Sequence, residues 1–393
     1  MKDDTIMVHV SRDPSRHYGI VNLPVYHAST VLYPTIKAFN NRIKNKYRGV
    51  RYGASGTPTT FALADAVATL EGGAGAVVVS SGLAACTMAL TAFLKQGDHI
   101  LVTDSVYGPT RKFCDAVLKR FGVEITYYDP LIGGNISELI RENTRVVFTE
   151  SPGSLTFEVQ DIPAIAEAAH NSDVLVLMDN TWATPLFFKP FEHGVDISIQ
   201  AGTKYIAGHS DLVIGIITAR TEALFRKIKD TTLAYGDIAG PEDCFLALRG
   251  LRSMGARLRC QQEAGLRIAA WLKQRPEVKR VMHPALPDDP GHALWKRDFT
   301  GACSLFGVVF HTSSEKAISH MVDGYRFFKI GASWGGFESL VIPAELQKIR
   351  TAVPWTETGY VLRYHVGLED PEDLIEDLKL GFDRLNQAHK QKA

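Results

Sequence analysis

Five positions carry side chains whose chemistries suit one another. Lys204, in Gln200-Ala201-Gly202-Thr203-Lys204-Tyr205, follows the apolar run 197–199. A lysine that attacks a carbonyl must be partly neutral, and apolar walls depress its pKa; a solvated structural lysine can occupy the same place. Asp179 closes the apolar run 174–178. A carboxylate there can pair with a protonated pyridine nitrogen and keep the ring an electron sink, or it can cap a helix or bind a metal. Ser80-Ser81-Gly82-Leu83 takes a strand through small residues into a helix. Exposed N–H groups at a positive helix end suit a phosphate, although a tight turn asks for the same residues. Tyr107, in Asp104-Ser105-Val106-Tyr107-Gly108-Pro109, can stack on a flat ring or simply pack. Arg363 interrupts the apolar run 361–366 and wants a bidentate partner, either an amino-acid carboxylate or an internal acid. Individually, each residue has an ordinary structural explanation. Their order is another matter: phosphate turn, stacking aromatic, strand-end acid, strand-end lysine and late arginine follow one another as a pyridoxal-phosphate (PLP) site acting on a small amino acid requires.

The surrounding pattern supplies elements to position them. Short apolar strands are expected at 76–79, 99–102, 123–128, 146–149, 174–178, 197–199 and 213–218. Helical spacing is found at 61–71, 83–95, 110–120 and 162–169. Such alternation implies an α/β fold with a mostly parallel central sheet covered on both faces. Ligands of these sheets lie at the carboxyl ends of the strands, where Gly82, Tyr107, Asp179 and Lys204 fall. Near residue 240 the pattern changes. One or two long helices are expected over 241–273, then strands at 278–282, 304–310, 327–330 and 361–366, and a last helix over 371–389. The expected organisation is an N-terminal arm over 1–55, without helical period, that reaches a neighbouring subunit. A PLP-binding domain over 56–240 and a smaller α+β C-terminal domain over 241–393 follow.

Composition narrows the function class. Lys plus Arg and Asp plus Glu are both 43, so the net charge is zero, which argues against nucleic acid or an anionic membrane as partner. The five cysteines, Cys86, Cys114, Cys244, Cys260 and Cys303, contain no CxxC pair; neither a metal site nor a disulfide framework is indicated. No apolar run approaches the roughly 18 residues of a membrane span, and Met1-Lys2-Asp3-Asp4-Thr5 opens no signal-peptide core. A cytoplasmic enzyme acting on a small molecule is expected.

Longer motifs add a resemblance. They are Tyr52-Gly53 with Gly56-Thr57-Pro58-Thr59, Leu70-Glu71-Gly72-Gly73, Asp179-Asn180-Thr181, Thr203-Lys204-Tyr205 with Gly208-His209-Ser210-Asp211, and Arg249-Gly250-Leu251-Arg252. Through them, nearly the whole chain resembles the cysteine and methionine metabolism family of PLP enzymes, of the aspartate-aminotransferase-like fold (PLP-dependent transferase, fold type I). Asn180-Thr181-Trp182-Ala183, His283-Pro284-Ala285-Leu286-Pro287, Trp295-Lys296-Arg297-Asp298-Phe299-Thr300-Gly301 and Ser333-Trp334-Gly335-Gly336-Phe337-Glu338-Ser339 are most similar to its bacterial cystathionine β-lyase branch. The resemblance implies cleavage of cystathionine to homocysteine, pyruvate and ammonia in methionine biosynthesis, with γ-elimination or alanine racemisation as alternatives. It implies Lys204 as Schiff-base lysine and proton shuttle, Asp179 on the pyridine nitrogen and Tyr107 on the ring. Gly82, the Leu83 amide and Thr203 would meet the phosphate, and Ser333, Trp334 and Arg363 the substrate carboxylate. Tyr52 would enter the site of a neighbouring subunit, within a homotetramer built from dimers.

One departure bears on the substrate. Family members usually carry Arg two residues after the tyrosine of Tyr52-Gly53, and the β-lyases often carry two; this chain has Ala54-Ser55. A lost charge-assisted hydrogen bond costs roughly 1.5–3 kcal/mol. Weaker phosphate binding is therefore expected unless Arg48 or Arg51 substitutes. Lys112 is expected at the entrance.

Overall fold

The computed structural model describes residues 1–390. Mostly apolar runs form strands that, apart from the partly exposed edge strand Glu124–Tyr128, are buried on both faces, as a sheet sandwiched between helices requires. They are β1 (Gly75–Val79), β2 (His99–Thr103), β3 (Glu124–Tyr128), β4 (Thr144–Glu150), β5 (Leu175–Asp179), β6 (Ile197–Gln200) and β7 (Gly215–Ala219). Their order is β1-β7-β6-β5-β4-β2-β3. Successive residues of β1 face opposite sides: Val78 joins the apolar cluster that includes Ala66 and Val67 of the helix Pro58–Glu71, and Val77 and Val79 join Ala85 and Leu90 of the helix Gly82–Phe93. All neighbouring strands are parallel except β7, which runs against β1 and β6. The carboxyl ends of β1, β2, β4, β5 and β6 therefore point the same way.

A smaller sheet follows, of β8 (Val278–Met282), β9 (Leu305–Phe310), β10 (Lys329–Ile330), β11 (Leu340–Pro343) and β12 (Val361–His365), in the order β10-β11-β12-β9-β8. The last helix, Pro371–Lys390, contributes Leu374, Leu378 and Phe382 to the cluster holding Phe306, Val308 and Leu362. The fold is thus the fold type I architecture, a mostly parallel sheet with a smaller C-terminal α+β domain.

One helix, Pro241–Leu272, runs unbroken for 32 residues where one or two were expected. Leu251, Met254 and Leu258 belong to the core of the large sheet, and Ile268 and Leu272 to that of the small one. Between them, Arg257 donates to the carbonyls of Gly250 (2.8 Å) and Ile206 (3.4 Å), and Gln261 Nε2 donates to the Gly336 carbonyl (2.8 Å).

The structure corrects several local expectations. Residues 3–9, in the arm expected to lack a helical period, form a helix, Asp3–His9, with Met7 buried. It docks on the chain's own long helix: Arg252 donates to the carbonyls of Met7 and Val10, and Arg259 pairs with Asp4. The stretch 110–120 starts as the helix Gly108–Phe113, widens over Cys114–Leu118 and tightens over Lys119–Phe121. β10 holds two residues of the longer strand expected at 327–330, and β11 was not anticipated. No helix among the described residues is long and apolar enough to cross a membrane.

Candidate active site

An open cleft of about 350 Å³ lies where the strand ends of the large sheet meet the small domain. It gathers nine of the ten residues expected at the site. Gly82 and Leu83 arrive after β1, Tyr107 after β2, Asp179 at the end of β5, Thr203 and Lys204 after β6, Ser333 and Trp334 from the β10–β11 loop, and Arg363 from β12. The exception is Tyr52, which lies outside the cleft, half-exposed, with its hydroxyl 3.3 Å from Ser29 Oγ. Lys112 is exposed on the helix that starts beside Tyr107.

Lys204 Nζ donates to Ser333 Oγ at 2.8 Å and stands 5.3 Å from the centre of the Trp334 ring. Burial brings its amine down to about 8; Arg363 pushes the same way and Asp179 opposes. The loop bearing Trp334 can approach this closely because Gly335 has no side chain. A Cβ there would sit 2.9 Å from Lys204 Cα, and φ is +84°.

Asp179 ends β5 and caps no helix; the helix that follows is capped at Ala183. The Asp179 Oδ1 accepts from the Thr181 amide (3.0 Å) and hydroxyl. Among the described residues its Oδ2 meets only the Cys86 thiol, 3.8 Å away. Burial pushes the carboxyl up against the pull of Thr181. A buried carboxylate oxygen with only a weak S–H donor invites a cationic N–H from the cleft, so the residues present fit the protonated ring nitrogen of PLP.

The other residues show equally specific bonds. Arg363 donates to the Ser333 carbonyl (3.0 Å), and no described carboxylate pairs with it; burial brings it down to about 10. Thr203 Oγ1 is occupied locally, donating to the Ile214 carbonyl (3.1 Å) and accepting from the Ile214 amide (2.9 Å). Of the two arginines weighed against Ala54-Ser55, Arg48 is committed to Glu222 (2.7 Å) and the Ala74 carbonyl (3.0 Å), whereas Arg51 has a buried Nε without a partner.

Two cleft residues escaped the sequence reading. Glu150 ends β4 directly beside Asp179 in the sheet register. Its Oε2 accepts the Tyr107 amide at 2.7 Å, which fixes the backbone that carries the aromatic ring. Burial, and then the charge of Asp179, push its carboxyl well above the usual range. The signal was available, because Glu150 closes an apolar strand just as Asp179 does. Cys86, beneath Asp179, is buried within the helix Gly82–Phe93; as one small residue in an apolar helix it carries no distinguishing pattern.

Comparison with known proteins bears on the family and the fold. A putative cystathionine β-lyase of Rhizobium johnstonii is 49% identical over 383 residues, 96% of this chain and 95% of that protein. An L-alanine/L-glutamate racemase of Wolbachia pipientis is 40% identical over 397 residues, 98% of each. Among solved structures, a cystathionine γ-synthase of Xanthomonas oryzae pv. oryzae superposes with a TM-score of 0.91 at 32% identity, covering 98% of this chain and 99% of that one. Fold and cleft together define a PLP-dependent enzyme. More narrowly, the chain belongs to the Cys/Met metabolism PLP-dependent enzyme family, whose model matches residues 4–383.

Proposed function

We propose that this enzyme is a carbon–sulfur β-lyase that converts L-cystathionine and water to homocysteine, pyruvate and ammonia. The observation that carries this reading is the Lys204 amine, without an ion pair to any described carboxylate, brought to about 8, and set against Ser333 and Trp334. The 49% identity to a putative cystathionine β-lyase supports it. When bound, PLP supplies an electron sink for the charge that develops at the substrate α-carbon. Lys204 would hold the cofactor, and its nitrogen would take the α-proton and return a proton to the sulfur as the Cβ–S bond breaks. Asp179 would engage the ring nitrogen through Oδ2, and Tyr107 would stack on the ring. Gly82, the Leu83 amide and Thr203 would receive the phosphate. Arg363, with Ser333 and Trp334, would orient the α-carboxylate. Tyr52 would complete the cleft of a neighbouring copy, in a cytoplasmic homotetramer of dimers.

A second reading, alanine racemisation or a γ-elimination, is favoured by Ala54-Ser55, where the distal head of cystathionine would meet arginine in relatives. The racemase-named relative at 40% identity supports it. The product assay separates the readings. PLP-loaded enzyme given L-cystathionine should release pyruvate and free thiol in equal amounts. Formation of 2-oxobutyrate from cystathionine, or of D-alanine from L-alanine with cystathionine untouched, would overturn the β-lyase reading.

A further inference from the structure

The strand β12 has two faces of different use. Leu362 and Tyr364 enter the core of the small sheet, and Val361 enters that of the large one. Side chains alternate along a strand, so Arg363 and His365 share the face of Val361. Arg363 lines the cleft and His365 does not. His365 lies behind the cleft wall, only 1% exposed. A buried imidazole must find partners for its nitrogens, and those of His365 point to a task.

Its Nε2 accepts the Gly335 amide at 3.1 Å. Among the described residues, no other amide of the stretch 333–336 makes a hydrogen bond. On the far side of the ring, Ser304 Oγ donates to the Val366 carbonyl (2.5 Å), which leaves its lone pairs to accept from Nδ1, 3.4 Å away. Nδ1 therefore carries the hydrogen, and Nε2 keeps the lone pair that Gly335 needs. The Gly336 carbonyl is also 3.2 Å from Nε2, but it takes its hydrogen from Gln261 (2.8 Å). Burial brings the imidazole down to about 3; the Gly336 carbonyl opposes, and Arg363 and Lys204 push the same way as burial. The ring is neutral at any ordinary pH.

The stretch held in this way is the one that faces the lysine. It carries Ser333 Oγ, the partner of Lys204, and the Trp334 ring, and Gly335 backs directly on Lys204 Cα. The ring of Tyr205, next to Lys204 in the chain, packs against both Trp334 (5.6 Å between centroids) and His365 (6.0 Å). His365 thus braces both sides of the gap between lysine and tryptophan without entering the cleft.

We propose that His365 is a positioning residue: its Nε2 lone pair, oriented by Ser304, sets Ser333 and Trp334 in place against Lys204. The assignment holds whichever reaction the cleft performs. A histidine that only filled space could be replaced by another ring, whereas one that works through an acceptor could not.

The test follows hydrogen exchange of the PLP-loaded enzyme by mass spectrometry, with kcat/KM measured on the amino acid that the product assay selects. His365→Phe keeps a ring and removes the acceptor; His365→Gln places a carbonyl oxygen at a similar reach. In His365→Phe the stretch 333–336 should exchange about tenfold faster, while β9 beside β12 keeps its wild-type rate. kcat/KM should fall about 10- to 100-fold. His365→Gln should recover most of both losses. The proposal is overturned if His365→Phe leaves the stretch at its wild-type rate, if β9 loosens equally, or if His365→Gln is no better than His365→Phe. Failure of the β-lyase reading would change the product and leave the exchange comparison intact. Should the His365 variants not fold, Ser304→Ala decides. It frees the imidazole to move its hydrogen to Nε2, and should speed exchange of the stretch about threefold; an unchanged rate would sink the proposal.

Discussion

Asp104 and Asp179 both follow apolar strands of the same sheet, and both are buried. Their surroundings differ completely. Asp104 receives the Arg111 and Arg350 guanidiniums and the amides of Thr351, Ala352 and Val353, all at 2.6–3.1 Å. Burial alone would raise its carboxyl, but those amides and Arg111 bring it to about 2. Asp179 has one oxygen satisfied and the other facing a thiol, and burial wins. The first aspartate is complete within the chain and clamps the segment after β11 to the large domain. The second is incomplete, which is what a ligand site looks like before its ligand is considered. The same contrast separates Arg350, held by Asp104 and Glu158, from Arg363, held by one carbonyl.

The comparison can be broken at either aspartate. Asp104→Ala leaves two arginines buried without their acid, and breaking such a cluster costs about 3–5 kcal/mol. Urea unfolding of the PLP-free protein should show a loss of that size; a loss under about 1 kcal/mol would mean that the clamp is incidental. Asp179→Asn should behave oppositely. It removes a carboxyl whose folded pKa is raised, so the PLP-free protein should keep its stability or gain about 1 kcal/mol near neutral pH, while turnover falls about 10²-fold or more. A destabilised PLP-free variant would show that Asp179 is structural. The smallest effect sharpens the picture at Lys204. Its folded pKa, about 8, lies below the ordinary 10.5, so the neutral amine grows in as pH rises through 8. The rate at which PLP-free protein captures PLP should rise between pH 7 and 9 with a midpoint near 8. A midpoint above 10 would place Lys204 in water.

Much of this was legible in the sequence, for definable reasons. Parallel strands buried on both faces read as unbroken apolar runs, and Asp179 and Lys204 stand out by ending them. The direction of β7 was not legible, because an apolar run reads the same whichever way its strand lies. Glu150 was lost through a boundary, the strand being expected to end at Thr149. The Asp104 clamp joins residues about 250 positions apart, and no local pattern records that. The helix Asp3–His9 escaped because a seven-residue, mostly polar segment with Met7 as its one buried side chain has no period to detect.

The long helix Pro241–Leu272 has a consequence for how this cleft can change over time. Arg257 grips the chain two residues beyond Lys204, and Gln261, one turn later, grips it two residues beyond Trp334. One rod therefore works as a calliper whose jaws are the two walls of the cleft. Substitutions along it alter the tightness of a grip, but a single inserted residue between the jaws would rotate one against the other by about 100°. The gap between lysine and tryptophan is thus set by a count of residues, and the short stretch 257–261 should accept changes of side chain far more readily than a change of length.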